Sequence, residues 1–276
     1  MAKKSKAKNA NVTNAKVIKN ETENEKIVKQ VVAADNKVAS VILRSIFVTV
    51  VVGVVYLLWG NAPIWYEKLT IGMLIVTVFV TFFGLWYIED NDKVNNYYAI
   101  ESGISGEMTA LRGLEGLPGD YTVIMNPIIK YQGRSNELDA VIVGPNGVFI
   151  AEIKNYKGEI SGDYSDSSLY RTKTSSGGVE RSDYISNPVK QVNAHTYRLA
   201  NFLREKKIDV FVQPMVCFAH PQTVVDIDNV PRKGVKIFSG YTVIDDMCHF
   251  IKSYTGRQNI DKNTRDKIVS LISRQS

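Results

Sequence analysis

The sequence predicts a mixed α/β domain over residues 89–276, preceded by two apolar helices and a polar N-terminal tail. Two dense apolar runs lie between residues 41 and 88, and nothing after them is as long or as uncharged. Beyond residue 89, short runs rich in Val, Ile, Phe and Tyr alternate with stretches of helical spacing, the pattern of a packed α/β domain. The charges are also unevenly placed. Residues 1–40 carry nine Lys against four acidic groups, whereas residues 89–276 hold 23 basic and 23 acidic groups. The formal charge of +6 therefore belongs to the front of the chain, and the α/β part is not a general polyanion binder. A nucleic acid would have to bind there through a local cleft.

Residues 1–40 are rich in Lys, Asn and Ala and poor in aromatics, which predicts a disordered tail with an affinity for anionic headgroups. The runs VILRSIFVTVVVGVVYLLW (41–59) and LTIGMLIVTVFVTFFGLWYI (69–88) each approach the ~20 residues that cross a bilayer core. Arg44 lies near one end of the first run, where its side chain can snorkel, and Trp59, Trp65, Tyr66, Trp86 and Tyr87 mark the run ends as interfacial aromatics do. The connection between the runs holds one Lys. The Lys-rich tail therefore predicts a two-span membrane protein with both termini cytoplasmic and residues 41–88 in contact with lipid.

Within the domain, a helix is expected near 103–116. Strands follow at 121–126, 137–143 and 148–156, and a loose polar hairpin over 159–186 with a Gly177-Gly178 turn. Asn187-Pro188 reads as an N-cap and first helical residue of a helix running to about 206. Strands at 210–219 and 235–239 and helices near 242–254 and 261–273 complete the pattern. Cys217 and Cys248 sit in apolar surroundings with no zinc or disulfide spacing, as reduced core thiols in a reducing compartment do.

The chemistry centres on one turn. Gly144-Pro145-Asn146-Gly147 has Pro and Gly where a tight turn favours them. If Val143 pairs with Val148, then Asp139 stands opposite Glu152, and Lys154 shares their face. A bulge at Gly147 would slip this register by one residue, and the sequence leaves both registers open. In the unslipped register two carboxylates and an ammonium converge. Carboxylates held that close repel unless a cation lies between them, and hard ions such as Mg²⁺ take such oxygens. The bland alternative is a solvated polar face. Glu107 shares a helix face with Ala110, Leu111 and Leu114, either as a third acidic group for a metal or its water, or as a helix-dipole contact. Gln191 sits one turn into the helix after Pro188, with His195 and Arg198 following at helical spacing. Either of the first two read alone is more often structural.

Together, GEMTALRGLEGL, ELDAVIVGPNGVFIAEIKNYKGEISG and NPVKQVNAH resemble the NERD family, the nuclease-related domain, over roughly residues 103–220. That family is assigned to the PD-(D/E)XK nuclease superfamily. The resemblance implies a restriction-endonuclease-like mixed sheet flanked by helices and a metal-dependent nuclease acting on nucleic acid, DNA more than RNA. It carries Glu107, Asp139, Glu152, Lys154 and Gln191 into the catalytic set. Asp139, Glu152, the backbone carbonyl of Ile153 and Glu107 become the candidate ligands of Mg²⁺ or Mn²⁺. The polar stretch from Asp163 to Ser186 departs from the family pattern, and the two spans lie outside it. A binding or scaffolding protein that keeps the fold without turnover is the competing expectation. An electropositive groove around Lys154, Arg134, Arg171 and Lys173 would count against it.

Overall fold

The computed structural model describes residues 14–20, 22–58, 64–88, 91–174, 177–231, 234–256 and 259–275. The chain divides into two compact units, residues 22–102 and residues 1–21 with 103–276.

The first unit is helical. Helix α1 (Glu23–Leu58) opens on a capping box: Thr22 Oγ1 accepts from the Glu25 amide at 3.0 Å, and the Glu25 carboxylate accepts from the Thr22 amide at 3.3 Å. Helix α2 (Ile64–Ile88) packs on α1, and the hydroxyls of Thr49 and Thr77 share a hydrogen bond between them. The windows Val38–Val55 and Ile64–Phe82 are long and apolar enough to cross a membrane, and neither window is buried by protein. Leu43, Phe47, Phe79 and Phe82 are each more than half exposed. Apolar surface of that extent is costly in water and costless in hydrocarbon. Trp65 is exposed and Tyr66 is buried. Trp59, the side chains of Trp86 and Tyr87, and residues 1–13 lie outside the described residues.

In chain order the second unit comprises β1 (Lys16–Lys19), the later part of α3 (Asn91–Leu114), β2 (Thr122–Met125), β3 (Ile128–Tyr131), β4 (Arg134–Glu137), β5 (Ala140–Gly144), β6 (Gly147–Lys154), β7 (Gly158–Asp163), β8 (Ser168–Thr174), β9 (Glu180–Ser186), α4 (Pro188–Glu205), β10 (Val212–Phe218), β11 (Thr223–Asp228), β12 (Lys236–Phe238), α5 (Val243–Ser253) and α6 (Lys262–Ser273). The main sheet is mixed, in the order β1-β2-β5-β6-β10-β12. Strands β5 and β6 are buried along nearly their whole length, because this sheet is covered on both faces. One face packs Val141, Val143, Val148 and Ile150 against α4 and α6, and the other packs Ile142, Phe149, Ala151 and Ile153 against α3 and α5.

The hairpin keeps the unslipped register: Val143 pairs with Val148, Val141 with Ile150 and Ala140 with Ala151. The turn is clamped from outside. Asn146 donates to the carbonyls of Ile251 at 2.7 Å and Tyr254 at 3.2 Å, and accepts from the Tyr121 hydroxyl at 2.9 Å. Gly144 has no alternative, since a Cβ there would stand 2.2 Å from the Tyr121 ring. Helix α4 begins as its sequence predicts, with Asn187 Oδ1 accepting from the Val189 amide at 2.9 Å and Pro188 in the first turn. Cys217 and Cys248 are free and buried, and burial pushes their thiols up to about 12 and about 11.

Three expectations are corrected, and one hairpin was not foreseen. Within the tail expected over residues 1–40, residues 16–19 and 23–40 belong to regular elements. Residues 16–19 form β1, which pairs in parallel with β2, and α1 starts at Glu23. The alternating Lys-Val-Ile-Lys is long enough to complete a sheet edge but too short to signal a strand by itself. Helix α3 starts at Asn91 rather than near 103, as its polar first half carries no apolar stripe to announce it. The loose hairpin over 159–186 is three strands in a four-stranded sheet, β11-β7-β8-β9, whose fourth strand comes from residues 223–228. A second small hairpin, β3–β4, turns at Gln132-Gly133 with both residues at positive φ, a tight reversal that lacks the usual Asn-Gly signal.

Candidate functional site

Asp139 lies one step beyond the last paired residues of the β5–β6 hairpin, opposite Glu152. Its Oδ2 accepts a hydrogen bond from the Ile153 amide at 2.6 Å. In an extended strand the N–H and C=O of one residue point to the same side. The Ile153 carbonyl therefore also points to the side where β5 has ended and the Asp139 carboxylate stands. Asp139 and Glu152 occupy a non-hydrogen-bonded position, where opposed side chains come closest.

Glu152 is 3% exposed. Lys154 Nζ lies 2.6 Å from its Oε1 and His195 Nδ1 lies 3.2 Å from its Oε2. The histidine comes from α4, which covers the same sheet face, so Glu152 is held between its own strand and the helix. The electrostatics follow from this packing. Burial, then the Glu152 charge, pushes Asp139 up to about 6. Burial would raise Glu152 as well, but the His195 contact and the Lys154 charge outweigh it and hold the carboxyl below its ordinary range. Lys154 is penalised by burial, yet Glu152 and Asp139 together hold its ammonium above the ordinary value. The three groups form one charge set, with Lys154 fully cationic at neutral pH.

Gln191 is one turn before His195 on α4, and its Oε1 is buried with no hydrogen-bond partner. A buried amide oxygen left open is costly and uncommon. Glu107 arrives differently. Its neighbour Gly106 packs on Asn155, the residue after Lys154, so closely that a Cβ on the glycine would stand 2.6 Å from that of Asn155. This contact brings α3 to the site end of β6, on the face opposite to α4. Among the described residues no three His, Cys, Asp or Glu side chains are grouped to hold a metal ion. Glu107 therefore does not form a three-carboxylate cage with Asp139 and Glu152 in this structure.

Sequence reasoning noted His195 without assigning it to the site. The signal was its spacing of four from Gln191, which puts both on one helix face. Asn126 was missed altogether. It is buried at φ 54°, its amide donates to the Asp139 carbonyl at 3.0 Å, and its side chain donates to the Asn20 carbonyl at 3.3 Å. Asn20 donates back to the Asn126 carbonyl at 3.3 Å, so the end of β1 clasps the backbone that carries Asp139. Arg134 lies on exposed β4, in the separate two-stranded hairpin rather than on the sheet that carries Lys154.

Fold and site together define an α/β domain with a carboxylate pair and a half-buried lysine on its central hairpin, in a chain that also holds two helices apolar enough to span a bilayer. Residues 102–219 match the family described as NERD, nuclease-related domain. The matched segment runs from within α3 to just past β10, so it contains all five residues singled out from the sequence and leaves out β1, α5 and α6. No curated protein and no solved structure matches the chain.

Proposed function

We propose that the domain is a divalent-ion-dependent nuclease that hydrolyses phosphodiester bonds in nucleic acid, DNA in preference to RNA. The observation that carries this reading is the convergence of Asp139, Glu152 and Lys154 at one rim of the central hairpin. The donor set suits Mg²⁺ or Mn²⁺: the carboxylates of Asp139 and Glu152 and the Ile153 carbonyl are oxygen ligands, which hard ions prefer. Asp139, raised to about 6 by burial and by Glu152, is a carboxylate that a cation relieves. When bound, the ion supplies Lewis-acid polarisation of the phosphate and a bound water of lowered pKa.

The chain's own residues do the rest. Lys154 stays protonated, so it is not the proton acceptor. It orients the attacking water and offsets the charge that grows on the phosphate. His195, with Nδ1 3.2 Å from Glu152 Oε2, serves as a positioning residue. Gln191 presents a neutral amide to the water or phosphate, and Glu107 positions water from α3, two turns before its end.

The test is cleavage of labelled DNA and RNA duplexes by the full chain in detergent. The expected result is turnover with Mg²⁺ or Mn²⁺ that stops on chelation and favours DNA. A fragment of residues 89–276 is the wrong material, because it lacks β1. One observation favours the competing reading of an inactive binding or scaffolding protein: Lys154 and His195 already engage both oxygens of Glu152. Tight nucleic-acid binding without turnover under either metal would establish that reading instead.

The helical pair is proposed to hold the domain at the cytoplasmic face of a membrane, with both termini cytoplasmic, on the strength of nine Lys before the first apolar window. Single cysteines at Asn61 and Ser276, labelled with an impermeant reagent on intact cells, are expected to react at Asn61 alone. Labelling at Ser276 from outside overturns the topology and removes the domain from cytosolic nucleic acid.

A further inference from the structure

The second sheet sorts its charges by face. Its register puts Ile160, Arg171 and Asp183 in one row, Leu169 with Ile185 in another, and Lys173 with Arg181 in a third. Alternate residues of a strand point to opposite faces. Ile160, Leu169 and Ile185 are core residues, so Arg171, Lys173, Arg181 and Asp183 share the inward face with them. Within these four strands the outward face carries Glu159, Asp163, Glu180, Asp226 and Asp228 and no Lys or Arg. This separation arises in a domain whose Lys and Arg balance its Asp and Glu, so the fold itself concentrates the positive field on one side.

The inward cations border a space. Lys157, Lys173, Arg181 and Asp183 line a groove of about 800 Å³. Asp183 is already engaged: its Oδ1 accepts from Arg171 Nε at 2.7 Å, its Oδ2 from Arg171 Nη2, and Lys173 Nζ lies 3.7 Å away. The groove thus carries three cations and one carboxylate, and that carboxylate is already shared by Arg171 and Lys173. The Arg171 guanidinium also lies 4.8 Å over the Tyr156 ring. Lys157 follows Lys154 by three residues, which ties this end of the groove to the strand that carries Glu152 and Lys154.

We propose that this groove guides the phosphodiester backbone of a nucleic-acid strand toward Glu152 and Lys154, with Lys157, Lys173 and Arg181 on its phosphates. The inference rests on the nuclease reading and adds to it the surface that holds the strand outside the reacting centre. It also gives a use to the polar stretch after Asp163, where the chain departs from its family's pattern. Charge complementarity selects the occupant: a row of cations a few residues apart matches a regularly charged backbone, and the flanking outward carboxylates repel it from the other face.

The experiment measures binding of a labelled single-stranded oligonucleotide to the full chain in detergent, in chelator so that no cleavage intervenes, across a potassium chloride series. Each phosphate contact contributes roughly 0.7 to the slope of log affinity against log salt for a single strand. The double variant Lys173→Gln/Arg181→Gln is expected to lose about tenfold in affinity and to flatten the slope by about 1.4. In cleavage assays its KM should rise. Glu159→Gln, on the outward face, should alter neither affinity nor slope. All these side chains are at the surface, and circular dichroism confirms that the variants fold. If wild type binds and the double variant binds with the same slope, the groove assignment is wrong while the nuclease reading stands. If wild type neither binds nor cleaves, both fall together.

Discussion

Replacing Lys154 with methionine is expected to lower cleavage by about 10²–10³-fold while divalent-ion binding is kept or slightly strengthened. On the proposed reading the ammonium faces the developing phosphate charge, and the charges of Glu152 and Asp139 keep it protonated against the penalty of burial. Removing it takes away transition-state stabilisation but no ligand oxygen, so the loss should fall on kcat rather than on metal affinity. Methionine keeps the apolar stem and hence the packing. Glu152→Ala should fail differently. It deletes a ligand oxygen pair and leaves Lys154 and His195 facing each other without their shared carboxylate, so ion binding and turnover should both collapse. Calorimetry with Mn²⁺ alongside cleavage of a labelled duplex separates the two outcomes. Equal cleavage by wild type and both variants removes these residues from the chemistry and leaves the scaffold reading in their place.

Asp139→Asn is expected to stabilise the metal-free protein at neutral pH while abolishing cleavage. The sign follows from the raised carboxyl. Burial and the Glu152 charge move Asp139 from 3.8 to about 6, so the folded state holds this proton to higher pH than the unfolded chain does. Its stability contribution is therefore fully present below about pH 3.8 and is lost as pH rises through about 6. Above that pH the ionised carboxylate costs the fold on the order of 3 kcal/mol. Asparagine removes the charge but still accepts from the Ile153 amide, at the loss of one charge-assisted hydrogen bond. The net gain should be about 1–2 kcal/mol at pH 8, vanishing near pH 4. Thermal unfolding across that pH range measures it. Mn²⁺ should stabilise wild type and not the variant, because only the carboxylate is relieved by the ion. An Asp139→Asn variant less stable than wild type at pH 8 would mean that the Asp139 charge is already compensated within the fold.

Both predictions concern residues of one hairpin, and that hairpin was legible before any coordinates. Gly-Pro-Asn-Gly names a turn, the apolar residues on either side name two buried strands, and period-two counting puts Asp139 opposite Glu152 in one of the two registers the sequence left open, the one the structure adopts. Such inferences succeed because they use only local geometry: a strand's two faces, a turn's two central residues, an N-cap followed by proline at Asn187-Pro188. The two apolar windows are equally local, since length and composition alone decide them.

What the sequence left undetermined depends on partners distant along the chain. Nothing near Glu152 announces that His195 will hold its second oxygen, because α4 reaches β6 only once three strands of the second sheet have been laid down between them. Lys16–Lys19 is four residues of modest pattern, and it becomes a strand only because β2 offers an unpaired edge after more than a hundred intervening residues. The buried Asn126, which ties that strand's end to the Asp139 backbone, reads in the sequence only as the last residue of a strand. The division of the second sheet into an acidic and a basic face needs β11 to be paired with β7, and the register of that pair is a product of packing rather than of either strand's composition. Local residues thus decide which elements form and which way their side chains alternate. Only the tertiary structure decides which charges meet, because burial and proximity, not sequence separation, set the energy of a carboxylate.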